Sequence, residues 1–343
     1  MEQALAPRPR TDAFLSEAIR AAGIVGAGGA GFPTYVKYGK PTPLLVVNGA
    51  ESEPGYVCDK LLFRDRAREF ARLFVFLKDI EAYERIIVGV EEGARPFMGP
   101  LEDLAAATDA FEVATFPNLY KYGQEKALIK VLLDRDVAKA EKPPDVGVTV
   151  NNNETLWNVY RALFEGRPVT TKFLTVYGET PAHLALEAPV GALATDLLAL
   201  AGLDEPDPSL HLFDGGPVLC EPVPDWTREP YGIRKTTNGL LLVSPERLKT
   251  RAKAYPRTDG PALPDHIENV EGSIARVRIP LGGRFGAPAA PVVDVGARVM
   301  VGDVIAEPPP DRLGVPVHAS ITGVVVGIDA GHVDLEAPDR EVP

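Results

Sequence analysis

The sequence predicts an α/β domain with a largely parallel sheet, then a small α+β domain, then an all-β C-terminal segment. Three observations predict this order. Strand-length apolar runs alternate with helical patterns through the first half. The alternation stops after Gly166-Arg167-Pro168. From Gly272 onward the chain is nearly all short β runs set between Gly and Pro turns.

In the first region Ala13–Ala22 reads as a short helix, followed by a glycine loop. Leu44–Asn48 is an apolar run of strand length. Leu61–Ile80 places Leu62, Ala67, Phe70 and Phe74 on roughly one face and reads as one helix. Arg85–Val90, Phe111–Thr115 and Gly147–Val150 read as further strands, with helices at Leu101–Ala107, Glu125–Leu133 and Asn153–Phe164. In the second region Val169–Tyr177 alternates like a half-exposed strand. The helix Ala194–Ala201 and the strands His211–Phe213 and Gly239–Val243 complete a domain whose size fits a β-grasp fold. The expected boundaries are 1–167, 168–245, a Pro- and charge-rich linker over 246–271, and 272–343. In the last segment Gly296 and Gly302 flank a β run, and Ile321-Thr322-Gly323-Val324-Val325 closes the rhythm of a barrel-sandwich hybrid.

Bulk properties narrow the function. The formal charge of −12 argues against a nucleic-acid partner, which needs a basic face. An anionic cofactor remains compatible, because backbone N–H groups hold anions. Of 343 residues only two are cysteines, Cys58 and Cys220. They read as reduced thiols, too few for an iron–sulfur cluster, which normally needs four thiolates. The five histidines are scattered, with no metal spacing. No apolar run approaches the ~20 residues that span a bilayer, and Met1 to Arg10 lack an apolar signal core, so a cytoplasmic protein is expected.

Four clusters are candidates for ligand binding. Gly26-Ala27-Gly28-Gly29-Ala30-Gly31 is followed by Phe32-Pro33-Thr34 and Lys37. Glycine allows close backbone approach and positive φ, so successive N–H groups can face an anion, and Lys37 is within reach of a phosphate there. A helix precedes the loop where a Rossmann fingerprint has a strand, which argues against that fold. The second cluster, Asn48-Gly49-Ala50-Glu51-Ser52-Glu53-Pro54, ends a buried strand, where ligands sit in α/β sheets. Tyr120 to Lys126 precedes a helix and fits either a plain turn or a site. Val150-Asn151-Asn152-Asn153-Glu154-Thr155 fits either a helix cap, with Asn153 capping, or a phosphate site at the helix N-terminus.

In this order the four clusters resemble the flavin-binding NADH dehydrogenase subunit family: the NADH-binding subunit of respiratory complex I, the C subunit of the Rnf complex and the cobalamin reductase of propanediol-utilisation microcompartments. The barrel-sandwich segment at the C-terminal end makes the cobalamin reductase branch the nearest resemblance. It implies an FMN- and NADH-binding α/β domain, a soluble-ligand-binding β-grasp domain and the barrel-sandwich hybrid. It also implies hydride transfer from NADH to FMN, carried by the cofactor with no catalytic side chain. Gly26, Gly28, Gly29 and Gly31 would cradle FMN. Lys37, Asn151, Asn152 and Thr155 would hold its phosphate, and Asn48, Glu51 and Ser52 would meet its ribityl or ring edges. Phe32, Glu53, Tyr122, Gly123 and Glu125 would bind NADH. The sequence departs from the family in three ways. The stretch 246–271 has no cysteine, so no iron–sulfur cluster is expected. Gln124 stands where the family has an acid or glycine, and Ala50 where the complex I protein has an aspartate. Electrons would leave to a partner protein, a quinone or a soluble acceptor, with peripheral attachment to a larger complex. Glu307 to Thr322 holds no lysine, so no lipoyl or biotin group is expected. The alternative is a non-redox ligand-binding or assembly module that keeps the fold.

Overall fold

The computed structural model describes residues 11–39, 42–249 and 262–338. The N-terminal reading of Met1 to Arg10 and residues 250–261 of the expected linker therefore lie outside the described residues.

The first helix, α1 (Thr11–Ala21), buries Leu15 and Ile19, four residues apart on one face. The short helix α2 (Tyr35–Tyr38) follows the glycine loop. Strands β1 (Leu44–Gly49), β2 (Arg85–Glu91), β3 (Glu112–Phe116) and β4 (Val148–Asn152) form a four-stranded parallel sheet in the order β3-β2-β1-β4. Leu45, Val46 and Val47 of β1 are fully buried, as expected for a central strand covered on both faces. The chain passes from β1 outward to β3 and then returns to β4 on the other side of β1. The strand order thus reverses between β1 and β4.

The single helix expected over Leu61–Ile80 is two helices, α3 (Cys58–Asp65) and α4 (Ala67–Asp79). Arg66 leaves the helical region at φ −122°, ψ 25°, and its guanidinium lies 5.5 Å over the Trp157 ring. The break lets Leu61, Leu62 and Phe63 on one piece and Phe70, Phe74 and Leu77 on the other enter one core. Helices α5 (Gly99–Thr108), α6 (Glu125–Leu133) and α7 (Asn153–Tyr160) complete the domain, and α7 runs on into a π-helical turn at Arg161–Glu165.

The middle region is a six-stranded mixed sheet with two helices, α8 (Ala194–Leu200) and the short α9 (Pro245–Leu248), in its described connections. Its strands are β5 (Thr171–Gly178), β6 (Leu184–Pro189), β7 (His211–Gly215), β8 (Cys220–Val223) and β9 (Gly239–Val243). The sixth, β10 (Ile267–Asn269), runs parallel to β6. The sheet order is β10-β6-β5-β9-β7-β8. Two expectations fail here. The strand expected to be half-exposed, β5, is buried at all eight positions. One face meets the α/β domain and the other packs Tyr177 against Phe213, Leu241 and Val243. The stretch read as an exposed linker also contributes a sheet strand, β10, because its backbone pairs with the edge of β6.

The last region holds two small antiparallel sheets, β11-β17-β16-β13 and β12-β14-β15. Strand β11 is Arg276–Pro280, β12 Ala290–Pro291, β13 Arg298–Val299, β14 Val304–Glu307, β15 Val317–His318, β16 Gly323–Ile328 and β17 His332–Glu336. Arg278 N–H donates to Gly191 O (2.7 Å) and Ser320 Oγ to Val190 O (2.6 Å), tying this region to the middle sheet. Among the described residues no helix is long and apolar enough to cross a membrane.

Candidate functional site

At the carboxyl ends of β1 and β4, where the strand order reverses, the chain leaves a crevice of about 200 Å³. Open α/β sheets bind ligands at such a switch point, because two loops diverge there and expose backbone groups. Gly26, Gly28 and Ala30 of the glycine loop line it, with Lys37, Asn48, Glu51, Ser52, Gly123, Glu125, Asn151, Asn152 and Thr155. Four segments far apart in sequence therefore meet at one place, as the clusters suggested.

The glycine loop is held from its own ends. Gly26 N–H donates to Phe32 O and Gly31 N–H to Gly26 O, both at 2.9 Å. Gly29 and Gly31 sit at φ +96° and +69°, where side chains are strained. Ala27 N–H donates to Thr155 Oγ1 (3.0 Å), locking the loop to the first turn of α7. The N–H groups of Gly28 and Ala30 have no acceptor among the described residues, and both residues line the crevice. Unpaired donors in a concave backbone fit an anionic ligand.

Asn152 caps α7: its Oδ1 accepts from Glu154 N (3.0 Å) and Thr155 N (3.4 Å). This corrects the expectation that Asn153 caps. Asn153 is fully buried, turns its Nδ2 onto Asp59 O (2.8 Å) and adds a second acceptor for Glu154 N. Asn151 donates to the Tyr38 hydroxyl (3.2 Å). Lys37 Nζ donates to Glu125 Oε1 (2.7 Å) and Val150 O (2.6 Å), so its charge is placed at the crevice wall by α6 and β4. Asn48 Nδ2 donates to Gly123 O (2.9 Å), which draws the Gly123–Glu125 segment over the end of β1.

Other expected residues stand elsewhere. Glu53 does not itself line the crevice but holds two residues that do, Tyr120 and Leu219. Its carboxylate accepts from Tyr120 Oη (2.8 Å), Val218 N (2.8 Å) and Leu219 N (2.9 Å), and burial still pushes its carboxyl up. Phe32 packs edge-on against Phe285 of the last region, ring centroids 5.8 Å apart. Tyr122 packs against Phe116 inside a core cluster. Gly29 accepts from Arg284 through its carbonyl (3.0 Å), and Gly31 faces Thr236, both on the outer side of the loop.

Three residues escaped the motif reading. Leu219 reaches the crevice from the turn before β8 with no local signal. Lys60 sits 3.8 Å from Glu51. Asp59, in the first turn of α3, is wholly buried behind the crevice, and its Oδ1 accepts from Asn152 Nδ2 (3.2 Å). Its Oδ2 has no partner. Burial first, then the Glu51 and Glu154 carboxylates, hold Asp59 well above the usual carboxylate range. Burial pushes Glu51 up to about 7, with the Lys60 ammonium opposing.

Known proteins share both the sequence pattern and the fold. Residues 19–161 match the family model of the Nuo51 FMN-binding domain, and residues 265–338 that of the RnfC barrel sandwich hybrid domain. Over these two stretches the chain matches the family that its motifs resemble. The cobalamin reductase PduS of Salmonella typhimurium is 34% identical over 232 residues, 67% of this chain and 49% of that protein. The C component of the ion-translocating oxidoreductase complex of Pseudomonas aeruginosa is 35% identical over 256 residues, 73% of this chain and 32% of that one. The chain thus spans half or less of these relatives' lengths. Among solved structures, an air-oxidized NAD+-reducing NiFe hydrogenase superposes with a TM-score of 0.54 at 23% identity, over 67% of this chain and 46% of that one. At that identity the likeness shows the fold alone. All the residues lining the crevice at β1 and β4 except Leu219 fall within the FMN-binding match, which makes this an NADH-dehydrogenase-like flavin domain.

Proposed function

We propose that this chain binds FMN in the crevice, takes a hydride from NADH there and passes the electrons to an external acceptor. The observation that carries the reading is the convergence of the glycine loop, the β1 end, the Gly123–Glu125 segment and the α7 cap on one crevice at the switch point. FMN supplies two-electron acceptance at its ring; the residues of this chain bind, orient and tune it. The N–H groups of Gly28 and Ala30, which find no acceptor among the described residues, the Lys37 ammonium and the α7 N-terminus form a phosphate-binding donor set. Asn48, Glu51 and Ser52 line the floor that a ring and ribityl chain would cover. Gly123 and Glu125 also line the crevice and are the nicotinamide-binding candidates; Phe32, Glu53 and Tyr122 would act only indirectly.

We further propose that the middle sheet is a β-grasp domain spanning 168–245 together with the strand β10, with the other domains at 1–167 and 272–343. The acceptor is proposed to be a partner iron–sulfur protein or a quinone.

The test is the visible spectrum of the chain mixed with FMN. A structured flavin band that NADH bleaches without oxygen is the expected result. Absence of FMN binding refutes the proposal, and binding without bleaching removes its nicotinamide half. Lys37→Ala should weaken FMN binding about tenfold or more, the worth of one charged hydrogen bond.

A further inference from the structure

The wall of the crevice carries two acids with too little positive charge to ionise both. Glu51 lines the crevice, with its side chain 11% exposed. Its carboxylate accepts from the N–H groups of Asp59 (3.3 Å) and Lys60 (3.1 Å) at the start of α3. Asp59 stands on that same turn with a bare, buried Oδ2. An ionised carboxylate with one oxygen unsolvated and unbonded is expensive to bury, and the group neutralises instead. Oδ1 already accepts from Asn152, so the proton sits on Oδ2.

The surroundings set which acid can exchange a proton. Lys60 on α3 faces Glu51, and Glu91 at the end of β2 shares that lysine. Glu154 on α7 and Lys172 on β5 face Asp59, but Lys172 is already paired with Glu154. Tyr56 and Cys58 complete the cluster as neutral groups, both pushed up by burial. Asp59 is sealed from water and Glu51 is not.

We propose that Glu51 and Asp59 form a proton-holding acid pair behind the cofactor crevice, in which Asp59 stays neutral and Glu51 takes up a solvent proton when the bound cofactor is reduced. The proposal rests on the FMN reading above. The balance is simple. A hydride from NADH leaves NAD+ and brings two electrons and one negative charge to the cofactor. One proton from water enters through the crevice and forms one O–H bond on Glu51, so the wall gains the compensating positive charge. Glu51 and Asp59 are positioning residues here: neither exchanges a bond with the nicotinamide.

Two measurements test it. The first is the midpoint potential of bound FMN against pH in the wild-type chain and in Glu51→Gln. Above about pH 7 the wild-type slope should exceed the variant's by one proton per two electrons. That is a tenfold change per pH unit, about 30 mV for a two-electron couple. Equal slopes overturn the proposal. The second needs no flavin: infrared titration of the flavin-free wild-type chain. A protonated-carboxyl band that survives at mildly alkaline pH, shifts in heavy water and disappears in Asp59→Asn supports the pair. A wild-type chain with no such band overturns it. Should FMN fail to bind, the cofactor reading falls and the infrared result alone decides the acid pair.

Discussion

Two buried acid sites lie side by side and are neutralised in opposite ways. At the seam between the first and middle regions, Glu154 on α7 is ion-paired with Lys172 on β5 and also accepts from Phe173 N (3.2 Å). Side-chain exposures of 1% for Lys172 and 2% for Glu154 leave no room for solvent to substitute for either partner. At the crevice wall, Asp59 is as deeply buried yet has an amide where Glu154 has a cation. The seam cancels charge with charge and so fixes two domains against each other. The wall keeps Asp59 neutral with a proton and leaves its neighbour Glu51, which reaches the crevice, as the acid that can exchange one. A site that must respond to electrons arriving nearby gains from the second arrangement, and a joint gains from the first.

The largest expected effect tests the seam. Lys172→Met leaves Glu154 buried without its cation, and breaking a buried pair from one side costs about 3–5 kcal/mol. Urea unfolding should show that loss. Adding Glu154→Gln to the same chain should recover most of it, since the stranded charge goes. A single variant as stable as wild type would mean that the pair is not what holds the seam.

The wall predicts a pH dependence of opposite character. Glu51 has an ordinary value of 4.5 and is pushed to about 7 in the folded chain. Between those values the folded state binds more protons than the unfolded state. Its contribution to stability is therefore lost as pH rises from about 4.5 through about 7, with a slope of at most about 1.4 kcal/mol per pH unit. Asp59, also raised, changes stability in the same direction. Glu51→Gln should flatten the profile measured by denaturant unfolding across that window. A wild-type profile that climbs with pH through the window would contradict the buried-acid reading.

The contrast also explains what the sequence revealed. The parallel sheet was legible because its two inner strand runs, Leu44–Val47 and Ile86–Val90, are unbroken apolar stretches, a purely local signal. The glycine loop, Lys37 and Asn151-Asn152 were legible for the same reason, since each motif carries its chemistry within a few residues. Asp59 was not legible. Its burial depends on β5, more than a hundred residues away, and nothing beside it marks the difference from a solvated helix acid. Glu53 misled the motif reading because its partners, the N–H groups of Val218 and Leu219, belong to another domain. The break at Arg66 was invisible because apolar spacing continues across it with no glycine or proline.

The smallest effect on stability falls where seam and wall touch, at Asn152. Its Oδ1 caps α7, beside Glu154, and its Nδ2 holds Asp59. Asn152→Ala removes both and should lower stability by about 1 kcal/mol, the usual worth of an N-cap, while weakening FMN binding. Asn152→Asp separates the two roles. Aspartate caps a helix as well as asparagine does, so stability should be retained at neutral pH. It offers no N–H to Asp59 and sets a third acid against an anionic ligand, so FMN affinity should fall at least as far as in the alanine variant. Thermal unfolding read beside FMN titration distinguishes these outcomes. If the aspartate variant binds FMN like wild type, the amide donor of Asn152 belongs to the joint and not to the site, and the boundary between seam and wall moves to the other side of that residue.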